Sequence, residues 1–236
     1  MIDLNFQFLC LEINFMLEIL YQDDYLIVIN KPCGLLVHRT SIAEENEAFA
    51  LQLLRDQVGK KLFPVHRIDR PTSGVLVFSF SPEVARQLNN QLINGVSHKK
   101  YVVLVRGWFS QEIICDRPVK NDRGNLQEAL TRFVPLKQLE LPLETDRYPT
   151  ARFSVVEAYP LTGRWHQIRQ HLAQLRHYII NDRVHGDGKQ NRIFTEQLGV
   201  REMFLHARSL CLQHPVLSTE LTIEAPFPAH WAEFVD

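Results

Sequence analysis

The sequence contains no apolar run of about 18 residues, the length that a membrane-spanning helix requires. Its first 15 residues are partly apolar, but they carry Asp3 and Glu12 and no Lys or Arg. A secretory signal begins with basic residues, so this segment does not resemble one. We therefore expect a cytoplasmic protein with no membrane partner.

Cysteine is also scarce, with four residues in a chain of 236, and none of them forms a Cys-x-x-Cys pair. Cysteines in a cytosolic chain of this kind are most simply reduced thiols. The ten histidines are scattered, and their closer pairs lack the spacing of metal-binding helices. A Gly-rich phosphate-binding loop is missing as well. The sequence therefore predicts neither a metal nor a cofactor.

Charge is balanced overall, with a formal net charge of −1, but it is unevenly distributed. Acidic residues outnumber basic ones in residues 1–56, whereas basic residues outnumber acidic ones in residues 147–192. A basic surface on a neutral protein fits a partner lined with phosphates. A surface of mutual salt bridges would give the same composition, so charge alone leaves both interpretations open.

The secondary-structure pattern mixes short apolar strands with amphipathic helices. Ser81 followed by Pro82 is a strong helix start, because Ser caps the first turn and Pro fits its first position. The predicted strands comprise residues 26–29, 75–78, 99–105 and 153–158, with a strand pair at 205–207 and 210–212. The predicted helices comprise residues 44–58, 81–94 and 165–176. Residues 116–150 are expected to form long loops with short strands, and residues 181–192 a polar loop.

This pattern predicts one α+β domain with a largely antiparallel mixed sheet, flanked by helices and loops. No repeat and no flexible linker interrupts it. We expect the domain to span residues 16–236, because Met16 opens a segment that reads like a natural start. Residues 1–15 would then be an N-terminal extension, either outside the native chain or a short extra strand.

Asp69 is the first candidate for chemistry. It lies between Arg67 and Arg70 in a polar loop, residues 66–74, that leads into a predicted strand. A carboxylate between two guanidinium groups stays ionised, which suits a nucleophile or a base. Surface ion pairs have the same local pattern and carry little information, so both interpretations stay open.

Arg169 and Tyr101 are weaker candidates. On the predicted helix 165–176, Arg169 borders an apolar stripe, so its head group should lie at the edge of the core and needs an anionic partner. Asp69 is one candidate partner, although spacing alone cannot show that the two residues meet. Tyr101 opens a predicted strand, where a packed aromatic residue is an equally ordinary interpretation.

Five short motifs follow one another along the chain. Residues 66–74 read HRIDRPTSG, and residues 161–172 read LTGRWHQIRQHL. The three shorter motifs are NKPCGLLVH at 30–38, KKY at 99–101 and LHA at 205–207. Their order and content resemble the RluA-like pseudouridine synthases, whose hallmarks are HRLDRxTSG and TGRxHQIRxHL. The resemblance covers roughly residues 16–230 and implies the pseudouridine-synthase fold, with an active-site cleft across the sheet.

Two further segments, residues 147–150 and 185–192, resemble the subfamily that modifies position 65 of tRNA. Two residues depart from the family pattern, because Tyr178 stands where Pro is usual and Asn181 where Gly is usual. Both lie in a loop after the second hallmark, so they affect the expected conformation of that loop and not the implied chemistry. The implied activity is conversion of a tRNA uridine to pseudouridine, an isomerisation that needs no redox cofactor, metal or nucleotide.

The resemblance also implies a role for each site residue. Asp69 would be the catalytic carboxylate, and Arg169 would pair with it and keep it charged. Tyr101 would stack on the uracil and serve as the base at C5, and Leu205 would form part of an apolar floor. Arg67 would fill the gap left by the uridine when it flips out of the RNA stack.

Basic and polar residues near these motifs are expected to bind the RNA, with tRNA as the partner and a monomer as the active unit. These residues are His66, Arg67, Arg70, Lys99, Lys100, Arg164, His166, Arg176, Lys189 and Arg192.

Three other functions share parts of this pattern. A sister enzyme that acts on ribosomal RNA would carry the same motifs. A non-catalytic RNA-binding protein could share the fold. A glycoside hydrolase could use Asp69 as its nucleophile, but it would need a second carboxylic acid, which the segment 66–74 does not supply.

Overall fold

The computed structural model describes residues 16–38, 48–145 and 148–235. The predicted extension at residues 1–15 lies outside these ranges, as do residues 44–47 of a predicted helix and Arg147 of a subfamily segment. Within the described ranges, no helix has both the length and the apolar character needed to cross a membrane.

Strands account for most of the regular structure. The strands are β1 (Glu18–Gln22), β2 (Leu26–Lys31), β3 (Phe63–Pro64), β4 (Ser73–Ser79), β5 (His98–Arg106), β6 (Ile113–Cys115), β7 (Val119–Lys120), β8 (Leu126–Gln127), β9 (Thr131–Leu141), β10 (Ala151–Pro160), β11 (Leu205–Gln213) and β12 (Glu220–Glu224). The α-helices are α1 (Ala50–Val58), α2 (Pro82–Ile93), α3 (Gln167–Gln174), α4 (Gly188–Leu198) and α5 (Ala232–Val235), and a 3-10 turn (Ala229–Trp231) precedes α5.

A single mixed sheet unites ten of these strands. Its order is β1-β2-β4-β11-β5-β10-β9-β6, with β3 added to β4 and β12 added to β11. The pair β4–β11 is parallel, whereas the other pairs are antiparallel. β7 and β8 form a separate hairpin. The predicted α+β fold with a largely antiparallel mixed sheet is confirmed.

Helices α1 and α3 cover the same face of the sheet. Leu54 of α1 packs in a cluster with Phe78 of β4, and Leu172 of α3 packs in a cluster with Val103 of β5. Tyr101 contacts both clusters. It therefore lies at the boundary between the areas that the two helices cover, and the predicted cleft across the sheet would follow this boundary.

The opposite face is covered by α2 and α4. Leu88 of α2 packs in a cluster with Val77, and Phe194 of α4 packs in a cluster with Leu104. These strand residues alternate with those that contact α1 and α3, because successive side chains of a strand point to opposite faces. Helix α2 begins as predicted, at Pro82, and the Ser81 side chain accepts a hydrogen bond from the Val84 N–H.

Part of the segment 116–150, which was predicted to form long loops with short strands, is the long strand β9. The proline and the charged residues in this stretch hide its strand character from a sequence pattern. β9 pairs with β10 along its length, but β6 covers only residues 131–133 of it. Pro135 lies at a register irregularity beyond β6, where a missing N–H group is tolerated.

Two more local predictions were wrong. The predicted loop 181–192 contains the start of α4, where the Asp187 side chain accepts from the N–H groups of Lys189 and Gln190. A glycine at the first helical position hides this start, because glycine is a poor helix former. The predicted strand pair at 205–212 is the single strand β11. Its pairing with β5 shifts between Ala207 and Ser209, and such a bulge breaks the alternation of side chains.

Candidate active site

The loop between β3 and β4 carries Asp69, and a buried lysine holds this loop in place. The Lys31 ammonium donates to the backbone carbonyl oxygens of Pro32, Leu35 and Arg70 at 2.8, 2.9 and 3.1 Å. Burial lowers the pKa of Lys31 to about 7, while the three acceptors stabilise its charged form. Because Arg70 directly follows Asp69, the lysine fixes the backbone next to the candidate catalytic carboxylate.

Arg169 reaches Asp69 from α3, so the structure contains the contact that spacing alone left open. Its Nη1 donates to Asp69 Oδ2 at 3.0 Å. The Arg169 side chain is 3% exposed, whereas that of Asp69 is 26% exposed. The guanidinium is therefore buried behind a carboxylate that remains open to a substrate.

Asp182 completes this arrangement, although no sequence pattern marked it as a candidate. Its two carboxylate oxygens accept from Nη2 and Nε of Arg169 at 2.8 and 2.7 Å. The backbone N–H groups of Val184 and His185 donate to its Oδ1 at 2.8 and 3.0 Å. Burial acts to raise the pKa of Asp182, but these hydrogen bonds outweigh burial and lower it. Asp182 is therefore ionised, and it orients Arg169 toward Asp69.

Asn181, one of the two departures from the family pattern, precedes this carboxylate. It has a φ of 61°, a left-handed conformation that glycine adopts freely and that asparagine tolerates better than most residues. Its side-chain amide donates to the carbonyl oxygens of Val200 and Glu202, both at 3.0 Å. Asn181 therefore keeps the left-handed backbone conformation that the usual glycine of the family could also adopt.

Tyr101 and Leu205 lie on neighbouring strands. Tyr101 of β5 is opposite Ala207 of β11, and Leu205 is opposite Val103. Because side chains alternate along a strand, Tyr101 and Leu205 point to the same face of the sheet. Burial and the negative charge of Asp69 raise the pKa of Tyr101. Its phenol is therefore protonated at neutral pH.

Two histidines border Asp69. His166, immediately before α3, has its Nε2 3.7 Å from Asp69 Oδ2, and its Nδ1 is 3.0 Å from Nε2 of His185. The Trp165 ring stacks on the His166 ring, with centroids 3.7 Å apart. Burial lowers the pKa of His166 to about 4, so it is neutral at pH 7. The structure thus places this predicted RNA-binding residue beside the carboxylate.

Three other predicted RNA-binding residues have partners or burial within the protein. His66 is half-buried and its Nε2 accepts from the Val77 N–H at 3.3 Å. Burial and the charge of Lys99 lower the pKa of His66 to about 3, and burial also lowers the pKa of Lys99. Lys100 forms an ion pair of 3.7 Å with Glu157.

The remaining predicted RNA-binding residues have exposed side chains. Arg164 donates through Nε to the Glu128 carbonyl at 3.0 Å, and Arg70 donates to the Gly34 carbonyl at the same distance. Exposed guanidinium groups can donate to phosphate oxygens. The exposed set is Arg67, Arg70, Arg164, Arg176, Lys189 and Arg192.

The candidate reactive groups of this site are its carboxylates and a phenol. In the part of the chain that the structure describes, no three His, Cys, Asp or Glu side chains are grouped as metal ligands would be. Asp182 brings a second carboxylate close to Arg169, but both of its oxygens accept hydrogen bonds and it is ionised. It is therefore unsuited to act as the acid of a glycoside hydrolase.

The sequence matches the family described as RNA pseudouridylate synthase over residues 25–174, which include Asp69, Tyr101 and Arg169. The chain therefore belongs to this family of RNA-modifying isomerases, as its motifs predicted. It is 41% identical to tRNA pseudouridine synthase C of Vibrio cholerae, over 92% of this chain and 93% of that protein. The Pasteurella multocida protein of the same name is 42% identical, over 93% of this chain and 95% of the relative.

Solved structures agree with this assignment. The protein called Human RNA Pseudouridylate Synthase Domain Containing 4 superposes with a TM-score of 0.70 at 25% identity, over 91% of this chain and 90% of the other. Human RNA Pseudouridylate Synthase Domain Containing 1 superposes with a TM-score of 0.71 at 23% identity, over 92% and 85%. The second similarity concerns the fold alone.

Proposed function

We propose that this chain converts the uridine at position 65 of tRNA to pseudouridine, with Asp69 as the catalytic carboxylate. The observation that carries the proposal is the contact of Asp69 with Arg169, itself fixed by Asp182. This network holds the accessible Asp69 carboxylate in the signature loop of the family. Support for tRNA comes from the names of the relatives and from the subfamily segment at residues 185–192.

The reaction exchanges one bond at the ribose for another. The bond between C1′ and N1 of the uracil breaks, the base turns, and C1′ bonds to C5. The hydrogen on C5 leaves as a proton and N1 gains one, so the product is an isomer and no electrons are transferred. Asp69 either attacks C1′, in a bond that breaks again when C5 bonds to C1′, or removes the 2′-proton, which returns to C2′ as that bond forms. Both routes use a carboxylate oxygen whose charge Arg169 stabilises.

Tyr101 stacks on the uracil ring and transfers protons. Its pKa is raised, so the phenol begins as a donor. It first gives its proton to N1 of the released uracil anion, and the phenolate then takes the proton from C5. Leu205 forms the apolar floor beneath the turning base.

The target uridine must leave the helical stack before it can reach Asp69. Arg67, which is exposed in the same loop, fills the space that the uridine leaves. The RNA backbone then contacts the exposed basic side chains near the site, such as Arg164. Such contacts give an affinity that falls as salt rises. We further propose that the protein is cytoplasmic and active as a monomer. Light scattering of the protein and of its tRNA complex measures the oligomeric state.

Asp69→Asn tests the proposal. Asparagine keeps the shape of the side chain but removes its charge, so we expect turnover to fall below detection while folding and tRNA binding remain. Tritium release from tRNA transcripts labelled at C5 of uridine measures turnover, and filter binding measures affinity. Mapping the product by chemical modification identifies the position.

Different outcomes would redirect the proposal. Substantial tritium release by Asp69→Asn would remove Asp69 from its role. Release from ribosomal RNA fragments but not from tRNA would assign the chain to a sister subfamily. If pseudouridine forms at a tRNA position other than 65, tRNA remains the proposed substrate and only the proposed target position changes.

A further inference from the structure

The sheet consists of two antiparallel parts that meet where β4 lies beside β11. Strands β1 to β4 form one part, and strands β11, β12, β5, β10, β9 and β6 form the other. The loop that carries Asp69 leads directly into β4, whereas Tyr101 and Leu205 belong to the other part. Arg169 lies on α3, which packs on that other part. The active site is therefore assembled across one junction between strands.

This β4–β11 junction is short and close. Its two register pairs are His206 with Ser73 and Ala207 with Gly74. A Cβ atom on Gly74 would lie 2.2 Å from the carbonyl oxygen of Ala207, so the two backbones approach more closely than a side chain would permit. The same Ala207 lies opposite Tyr101 on the other side of β11.

A buried side-chain hydrogen bond crosses the junction beside these pairs. Ser73 Oγ lies 2.9 Å from His206 Nδ1, and His206 Nε2 lies 3.3 Å from the Ala225 carbonyl oxygen. A carbonyl can only accept, so Nε2 carries the hydrogen and Nδ1 accepts from the Ser73 hydroxyl. Burial lowers the pKa of His206 to about 4, and the imidazole keeps this neutral form at pH 7.

We propose that the hydrogen bond from Ser73 to His206 is a positioning contact that sets Asp69 against Tyr101 and Arg169. Ser73 is four residues from Asp69, and His206 directly follows Leu205, so each partner is connected to a different side of the site. The inference rests on the proposed catalytic role of Asp69. Neither Ser73 nor His206 contacts the substrate in this account.

Loss of this bond is expected to change turnover more than substrate binding. A displacement of about 1 Å between reacting groups can reduce the rate by about 100-fold. The proposed RNA-binding residues, such as Arg164 and Arg192, lie outside the junction pairs, so the affinity for tRNA should not depend on this alignment. Ser73→Ala, which deletes one oxygen atom, should therefore lower kcat about 10- to 100-fold and leave KM within about twofold.

Two substitutions of His206 separate positioning from packing. In His206→Asn the amide oxygen lies near the position of Nδ1 and can still accept from Ser73, whereas in His206→Gln the amide nitrogen lies near Nε2 and can bond only to Ala225. Both variants lose the ring and should melt at similar temperatures. We expect His206→Asn to retain most of kcat and His206→Gln to match Ser73→Ala. The double variant Ser73→Ala with His206→Gln should lose no more than either single one.

The outcomes distinguish this inference from the proposed function. Wild-type kcat in Ser73→Ala, or equal losses in His206→Asn and His206→Gln, would overturn the positioning role. If His206→Gln fails to fold, the comparison of Ser73→Ala with the wild type decides alone. Asp69→Asn is measured in the same assay. Its activity would overturn the catalytic role of Asp69, while an inactive Asp69→Asn with fully active junction variants would overturn only the positioning role.

Discussion

Arg169 is a buried residue whose guanidinium contacts the carboxylates of both Asp69 and Asp182. Its removal leaves the Asp182 carboxylate buried without its partner, which typically costs about 3–5 kcal/mol of folding free energy. We expect Arg169→Ala to lower the free energy of unfolding by that order and to abolish turnover. Denaturant unfolding followed by circular dichroism measures the first effect, and tritium release measures the second.

The double variant Arg169→Ala with Asp182→Ala is the control, because it removes the buried charge together with its partner. We expect it to recover part of the lost stability and none of the activity. Arg86→Ala, at an exposed position of α2 on the opposite face of the sheet, should change neither quantity. An Arg169→Ala variant as stable as the wild type would show that the network contributes nothing to folding.

The buried histidines make stability sensitive to acid. His206 has a pKa of about 4 in the folded protein, compared with about 6.5 in the unfolded chain. As the pH falls below 6.5, the unfolded chain binds the proton first and the folded state loses stability, at roughly 1.4 kcal/mol per pH unit for this residue, until about pH 4. Above pH 6.5 both states are neutral and the effect is absent.

Calorimetry between pH 7.5 and 4.5 measures this dependence. His206→Asn cannot bind the proton, so its melting temperature should fall less steeply with acid than that of the wild type. Other histidines with lowered pKa values, including His166 and His66, remain in both proteins and cancel in the comparison. Equal slopes in the two proteins would show that His206 titrates normally.

At the scale of elements, the loop between α3 and α4 depends on the left-handed backbone of Asn181. Both Asn181→Gly and Asn181→Ala remove the hydrogen bonds to Val200 and Glu202, but alanine also introduces the strain of a left-handed residue with a Cβ atom. That strain is about 1–2 kcal/mol. We expect Asn181→Ala to be less stable than Asn181→Gly by about that amount, as measured by denaturant unfolding. An equal loss in both variants would mean that the backbone relaxes.

Elements with strong local signals were predictable from sequence. Ser81 and Pro82 begin α2 as predicted, because capping depends on neighbouring residues alone. β9 was not predictable, since its pairing with β10 overrides the proline and the charges within it. The start of α4 was missed because Gly188 has a low helix propensity, although the Asp187 side chain caps it.

The site was predictable in its motifs and not in its contacts. Asp69 and Arg169 were candidates because each stands in a recognisable pattern, but they are 100 positions apart, and only the tertiary fold brings them together. Asp182 was missed because an aspartate in a polar loop normally indicates an exposed residue. Its burial follows from the packing of the loop against α3, which has no signature in the local sequence.

For the whole molecule, the uneven charge predicts how tRNA binding depends on salt. Arg164 is exposed beside α3, on the face of the sheet that contains Tyr101, whereas Arg86 lies on the opposite face. A residue that neutralises one phosphate contributes about one unit to the slope of log affinity against log salt. We expect Arg164→Ala to reduce the slope by about one unit and Arg86→Ala to leave it unchanged. Filter binding at several salt concentrations measures both, and equal slopes would place the RNA elsewhere.

We expect the β4–β11 junction also to determine when the site forms during folding. Its partners Ser73 and His206 are 133 positions apart. Closing so long a loop costs conformational entropy, and the contact compensates for that cost only when the chain between the two residues is ordered. Hairpins such as β9–β10 require only local closure and can form early. A nascent chain that still lacks β11 contains Asp69, Tyr101 and Arg169 but has no joined site. Activity should therefore arise only after β11 has left the ribosome.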